Sequence, residues 1–302
     1  MYDLLESNRD DRPASYSAPM RYLERPSSPL LRSLVDRFWV LETDTADPPM
    51  LQPVLPDGHV EVLAHVGAPF AQVSTDGREH TQAKVLIGAQ ITEAVRLVTR
   101  PGAFVVGARL RPSAGALLTG VPQHLLTGGI HELASVDRAL ADRVSRHLSG
   151  RQDPMNLMDA FEQILAAAFA TRIEAGALNP SLALVKAVSL ATRSHGLVRV
   201  DELATTAGVS ARQLERQFAT HVGLSPKRFL RVLRFQQVLA VLRDPSSSSA
   251  GWADVAAQHG FYDQAHFIND FKAFTGETPG AWDIDDASLT AVFAGRGFTV
   301  DM

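Results

Sequence analysis

The stretch His259–Trp282, HGFYDQAHFINDFKAFTGETPGAW, decides the reading of this chain, because much of its spacing occurs twice. Upstream, Gly208–Pro226 reads GVSARQLERQFATHVGLSP. Laid over one another, Leu214 falls on Phe267, Phe218 on Phe271, Gly223 on Gly276, Ser225 on Thr278 and Pro226 on Pro279, with every internal spacing equal. Only the turn differs, with six steps from Gly208 to Leu214 and seven from Gly260 to Phe267. Apolar residues four apart followed by a helix-ending Gly recur in many helical proteins, but a whole Gly-turn-helix-Gly-x-Ser/Thr-Pro series found twice points to a duplicated unit.

Each copy reads as a short helix (Val200–Ala207; Trp252–His259), a turn at Gly208 or Gly260, and a second helix. The turn glycine takes the left-handed conformation that ends the first helix, and the apolar pair four apart fixes the buried face of the second. The opposite face is free to enter a DNA major groove, which is the helix-turn-helix arrangement. Ser225-Pro226 opens a long helix, roughly Pro226–Asp244, whose apolar positions Phe229, Val232, Leu233 and Leu239 recur at helical spacing. A rigid spacer of that kind sets two reading helices about one turn of duplex, roughly 34 Å, apart.

Working outward, a break at Gly176–Val185 (GALNPSLALV) separates this helical part from the rest, with Ser181 as a candidate cap of the next helix. Before it, Asp153 and Pro154 open a helix to Glu174, and helical signals also cover Ser113–Leu118 and Leu133–Leu148. That helix pair either closes the core of its own domain or offers a face to a second copy through residues 133–174. From Leu30 to Pro112 short apolar runs divided by Pro, Gly and Asp-Gly predict a compact antiparallel sandwich or barrel, with a helix expected over SPLLRSLVDRFW. The fold class expected is thus a two-domain α+β chain. An N-terminal β barrel or sandwich with trailing helices is followed by an all-α double helix-turn-helix. The expected boundaries are an arm over 1–26, a β-rich domain over 27–176, the helical domain over 177–284 and a tail over 285–302. PSSSS, Pro245–Ser249, is expected to interrupt the helices.

The 302 residues, 45% hydrophobic and 21% charged, suit two ordinary globular cores. The chain has no run of about eighteen apolar residues, and its N-terminus is acidic and polar where a signal peptide is basic and then apolar. The sequence therefore reads as cytoplasmic. With no cysteine, disulfides, cysteine-zinc sites and thiol nucleophiles are excluded. The net charge of −4 argues against nonspecific coating of nucleic acid, yet Pro180–Trp282 holds eleven Lys and Arg against eight Asp and Glu. No catalytic triad, phosphate loop or dinucleotide fingerprint stands out, so an enzyme is not expected and no cofactor is predicted.

DELATTAGVSARQLERQF, GLSPKRFLRVLRFQQVLAVL and DVAAQHGFYDQAHFINDFKAFTGETPGAW together resemble the AraC/XylS-type transcription regulators over Ser181–Trp282. The resemblance implies a double helix-turn-helix module reading two adjacent major-groove segments of double-stranded DNA. It implies base contacts from Arg212, Glu215 and Arg216 in the first copy and from Gln264, Ala265, His266 and Asn269 in the second. Arg can bond bidentately to guanine and Gln to adenine, whereas a surface arginine can equally be a solvated charge. Ser210, Lys227, Arg228 and Arg231 are assigned to phosphate contact, and Arg234 to a structural role. Asn269 and Asp270 stand where the family often has a basic residue, and a carboxylate facing phosphates repels them, so the first reading helix is expected to carry most of the specificity. An activator of this kind also implies RNA polymerase as a partner.

The first half resembles, more loosely, the β-rich, cupin-like domain found at the N-terminus of some such regulators, through FWVLETD, LPDGHVEVLAHVG and VVGARLRPSAGALLTGVPQHLLTGGIHEL. In HVEVLAHV, His59, Glu61 and His65 share one parity, so a continuous strand puts them on one face. They are candidate effector contacts, with Arg109 and Arg111 open to an anionic effector or to pairing with carboxylates. His and carboxylate together suit zinc or iron, which keeps a metal-dependent cupin-type enzyme in view; a polar strand face is also simply the wet side of a sheet. A protein-interaction scaffold is the third reading.

Overall fold

The computed structural model describes residues 20–150, 152–176, 178–243, 251–282 and Leu289. The arm before residue 20, the Pro245–Ser249 break and the tail apart from Leu289 lie outside the described residues.

The N-terminal half is a sandwich of two antiparallel sheets that do not close into a barrel. One holds six strands in the order β1 (Arg21–Pro26), β2 (Val35–Glu42), β9 (Phe104–Leu110), β4 (Val60–His65), β7 (Val85–Gly88) and β10 (Ile130–Glu132). The other runs β3 (Met50–Val54), β8 (Val95–Thr99), β5 (Ala71–Val73) and β6 (Glu79–Thr81). β1 pairs along its length with β2, from Arg21 opposite Glu42 to Pro26 opposite Arg37, so the last residues of the expected arm are an edge strand. The helix expected over SPLLRSLVDRFW is instead a turn running into β2. Its apolar residues Phe38, Trp39, Val40 and Leu41 are consecutive and all buried, the pattern of a strand covered on both faces rather than of a helix stripe.

The covering on one face is helical. α1 (Gly115–Thr119), α2 (Leu133–Val136), α3 (Arg138–His147) and α4 (Pro154–Glu174) follow the sandwich. The helical segment expected over Leu133–Leu148 is divided at Asp137, whose extended backbone ends α2 and whose carboxylate caps α3 by accepting from the Leu140 amide. Asp153 caps α4 through the Met155 and Asn156 amides, with Pro154 in its first turn. Leu157, Met158, Phe161, Leu165 and Phe169 of α4 share one core with Val60, Val62 and Ala64 of β4 and with Leu140 and Val144 of α3. The apolar faces of this helix pair thus close their own domain.

The C-terminal half is helical: α5 (Leu182–Arg193), α6 (Val200–Ala207), α7 (Ala211–His221), α8 (Pro226–Leu242), α9 (Trp252–Gln258) and α10 (Gln264–Thr275). Ser181 caps α5 and Ser225 caps α8, each accepting from the amide three residues on. One core joins both copies of the repeat, since Leu214 and Phe218 of α7, Phe229 and Phe235 of α8, and Phe267, Phe271 and Phe274 of α10 belong to a single buried cluster. Packing through α8 therefore fixes the two units relative to each other. Leu55, from the loop after β3, is buried in the same cluster.

Candidate nucleic-acid interface

The first unit is α6, the turn at Gly208 and α7. Gly208 ends α6 in the left-handed region at φ 69°, as its place in the repeat predicts. Ser210 and Gln213 form a reciprocal capping box: the Ser210 hydroxyl accepts from the Gln213 amide at 3.3 Å, and the Gln213 side chain accepts from the Ser210 amide at 3.0 Å. Leu214 and Phe218 turn inward, so Arg212, Glu215 and Arg216 stand exposed on the far side. No side-chain hydrogen bond or ion pair holds these three among the described residues.

The second unit is α9, the turn at Gly260 (φ 71°) and α10. Asp263 caps α10 through the His266 amide at 2.7 Å, and Nδ1 of His266 accepts from the Tyr262 amide at 3.3 Å. His266 thus takes the part that Gln213 takes in the first unit, and its ring is only half exposed. Gln264 is exposed in the first turn of α10, and Ala265 and Asn269 are exposed on the face opposite Phe267 and Phe271. The sequence reading did not single out Lys272, one turn beyond Asn269, or Tyr262 at the mouth of α10, which is 91% exposed. The signal for Lys272 was present in its spacing from Asn269 and Ile268 along the same helix.

Asp270 corrects the expectation of a carboxylate facing phosphates. It is buried, and both its oxygens accept from Arg231 of α8, the Nε bond being 2.9 Å. Arg231 also lies over the Phe274 ring at 5.7 Å. Its guanidinium therefore ties α8 to α10 instead of standing free for phosphate. Lys227 and Arg228, at the start of α8, are exposed. Arg234 has the structural role expected of it, donating to the Gly260 carbonyl at 3.1 Å and lying over Phe261 at 5.6 Å.

In the N-terminal half, β4 is continuous, and Glu61 and Leu63 point into the space between the two sheets, where they help line a cavity of about 60 Å³. His59, Glu61 and His65 are nevertheless each engaged separately. His59 Nδ1 pairs with the Leu110 carbonyl at 3.1 Å, and His65 Nε2 meets the Gln82 amide oxygen at 3.1 Å. Glu61 accepts from Trp39 Nε1 at 3.0 Å and from Arg109 Nε at 2.7 Å. Among the described residues no group of three His, Cys, Asp or Glu is placed to hold a metal ion, so the metal grouping read from parity is not formed. Arg109 is buried and saturated by carboxylates, since its Nη2 donates to Asp57 at 2.7 Å besides the Glu61 bond. Burial alone would lower its pKa; Asp57 and Glu61 more than offset that and hold it charged. It is not available to an anionic effector. Arg111 pairs with Asp36 at 2.9 Å. Burial pushes the His65 pKa down to about 4 and, with the charge of Arg109, lowers that of His59, so both rings are neutral near pH 7.

Among the described residues, the two halves meet at the Pro56–Gly58 loop and around the helix after α1. Gln236 of α8 donates to the Pro56 carbonyl at 2.6 Å, and Gly58, at φ +82°, lies against the Phe229 ring where a Cβ would approach to 3.1 Å. At the one-turn helix Gln123–Leu125, Thr127 donates to the Gly223 carbonyl at 2.8 Å and His124 Nδ1 meets the Ala219 carbonyl at 3.3 Å. The second contact braces the C-terminal end of α7 and leaves Arg212, Glu215 and Arg216 uncovered.

Residues 203–283 match a family model described as a helix-turn-helix domain, and residues 23–132 match one described as a domain of unknown function. The XylDLEGF operon transcriptional activator of Pseudomonas putida is 29% identical over 82 residues, 27% of this chain and 26% of that protein. The C-terminal domain is thus a helix-turn-helix domain similar to that of AraC/XylS-type activators. The HTH-type transcriptional regulator MtrA of Neisseria gonorrhoeae is 32% identical to this chain over 83 residues, 28% of this chain and 27% of that one. The match thus spans about a quarter of the length of each of these two curated relatives. Among solved structures, ToxT from Vibrio cholerae aligns over 91% of this chain and 97% of its own at 10% identity and a TM-score of 0.40.

Proposed function

We propose that the chain is a sequence-specific double-stranded DNA-binding transcription regulator whose two helix-turn-helix units read adjacent major-groove segments. One observation carries this: two units built on one core, each presenting an exposed helix face opposite its buried pair of apolar side chains. Arg212, Glu215 and Arg216 are the base contacts of the first unit, and Gln264, Ala265 and Asn269 those of the second, with His266 at its edge. Lys227, Arg228 and Lys272 meet phosphates, and Ser210 serves the interface by fixing the start of α7. Control comes from the N-terminal domain, whose Pro56–Gly58 loop and Gln123–Thr127 turn bear directly on α8 and α7. Contact with RNA polymerase and self-association through residues 133–174 belong to the same reading as further partners.

The test is selection of bound duplexes from a random pool by the full chain. A reproducible motif bound with nanomolar affinity that falls steeply with salt supports the reading. Binding without sequence preference, or none, rejects it and favours a protein-interaction scaffold.

A further inference from the structure

The turn of the second unit is one residue longer than that of the first, and the extra residue is Tyr262. The reading helices are capped by Ser210 and Asp263, each four residues before the first buried apolar side chain, Leu214 or Phe267. Counted from the turn glycine, Ser210 is two steps on and Asp263 three. Val209 and Phe261, each directly after its glycine, pack against the same helical core. Tyr262 therefore has no counterpart in the first unit and no place in that core. Its side chain stands in water at 91% exposure, the highest of the large hydrophobic side chains among the described residues.

The backbone around that ring is held at every step. The Gly260 carbonyl accepts from Arg234 at 3.1 Å, and the Phe261 amide donates to the Ala256 carbonyl at 3.0 Å. The Phe261 ring packs edge-on against Phe267 at 5.3 Å. The Tyr262 amide donates to Nδ1 of His266 at 3.3 Å, and Asp263 caps α10. Tyr262 is thus presented from a fixed turn, and no hydrogen bond or ring contact holds its side chain among the described residues. It stands at the entry of α10, next to Gln264 and Ala265, where the wall of the groove is sugar and phosphate. The entry is poor in cations, because Lys272, at the far end of α10, is the only Lys or Arg between Trp252 and Gly276. A phenol hydroxyl supplies a neutral donor there, and tyrosine is among the side chains that bond phosphate oxygens.

We propose that Tyr262 is a DNA-backbone contact that the second unit has and the first lacks, its hydroxyl donating to a phosphate oxygen at the edge of the second major-groove segment. The inference rests on the regulator reading and adds a residue to its interface. Such a contact carries no base information and, being neutral, releases no counterion. It sets how α10 lies in its groove, a positioning task that the arginine-bearing α7 meets with charge.

Fluorescence anisotropy of the full chain on its selected duplex tests this with Tyr262→Phe, which removes the hydroxyl alone. Affinity should fall about three- to tenfold, by the same factor on single-base variants of the duplex. The slope of log affinity against log salt should not change, and neither should Tm. Methylphosphonate substitution, one phosphate at a time, should find one position beside the second segment where the natural chain loses affinity and Tyr262→Phe loses less. Equal affinity of Tyr262→Phe and the natural chain, or the absence of any such position, overturns the contact. A loss confined to particular base pairs overturns the phosphate assignment, and a loss accompanied by a lower Tm makes the hydroxyl structural and overturns it too. If the natural chain selects no duplex, the regulator reading fails and this inference with it. Specific binding that weakens in Arg212→Ala but not in Tyr262→Phe overturns this inference alone.

Discussion

Set residue on residue, Leu214 and Phe218 of the first unit coincide with Phe267 and Phe271 of the second, and the capping pair Ser210 and Gln213 with Asp263 and His266. On the reading face the pairs part: Arg212, Glu215 and Arg216 meet Ala265, Ile268 and Asn269. Gln217, half buried and accepting from the Ser181 hydroxyl, meets Asp270, buried and held by Arg231. Ala219, whose carbonyl is covered by His124 of the N-terminal domain, meets Lys272, which stands exposed. Positions that build the scaffold keep their character, and positions that face outward do not. The first unit puts its cations at the centre of the helix and is braced from behind. The second has a neutral centre and one cation at the end.

The largest break in that comparison is at the arginines. Arg212→Ala and Arg216→Ala are each expected to cost about 1–3 kcal/mol of operator affinity, roughly 5- to 150-fold, and to relax preference at the base each reads. Gln264→Ala should cost less and relax a different base pair. Fluorescence anisotropy on the selected duplex and on single-base variants measures both. Equal losses across all sequences would make the arginines phosphate contacts and dissolve the asymmetry between the units.

Next in size is Asp270→Asn, which leaves the Arg231 guanidinium without its carboxylate. Because Arg231 is part exposed, about 2 kcal/mol of stability is expected, a fall in Tm of roughly 4–8 °C. Gln217→Ala, the same position in the first unit, should cost under about 1 kcal/mol. Similar shifts in thermal unfolding for the two variants would mean that the ion pair adds little beyond packing.

What was legible beforehand follows the same division. The scaffold could be read because buried positions obey helical spacing and glycine must stand where φ is positive, as at Gly208 and Gly260. Asp270 was misread as facing phosphate because spacing gives the side of a helix but not what packs against it, and its partner lies in another helix, at Arg231. The same limit applies to Arg109, whose carboxylates come from a separate strand and loop. The start of β2 was ambiguous for a different reason: a strand buried on both faces loses its alternation, and Leu30 to Trp39 then imitates a helix stripe.

Lys272→Ala is a smaller effect of a distinct kind. Losing one phosphate contact should weaken binding several-fold at low salt, uniformly across sequences, and lower the slope of log affinity against log salt by about 0.9. A loss confined to certain sequences would move Lys272 among the base contacts and give the second unit a charged reader after all.

Thr127→Val is the gentlest probe, directed at the brace that only the first unit has among the described residues. The hydroxyl bonds the Gly223 carbonyl just past α7, and its loss should cost under about 1.5 kcal/mol, too little to unfold the domain. Local opening is where so small a change shows, because the end of a helix frays with a free energy well below that of global unfolding. Hydrogen exchange over Ala219–Gly223 should therefore quicken several-fold in the variant while Lys272–Gly276, the matching end of α10, keeps its rate. If both ends quicken together, the N-terminal domain acts on the shared core of the two units. If only the first does, its hold is on the arginine-bearing helix, and a signal from the sandwich reaches the stronger reader directly.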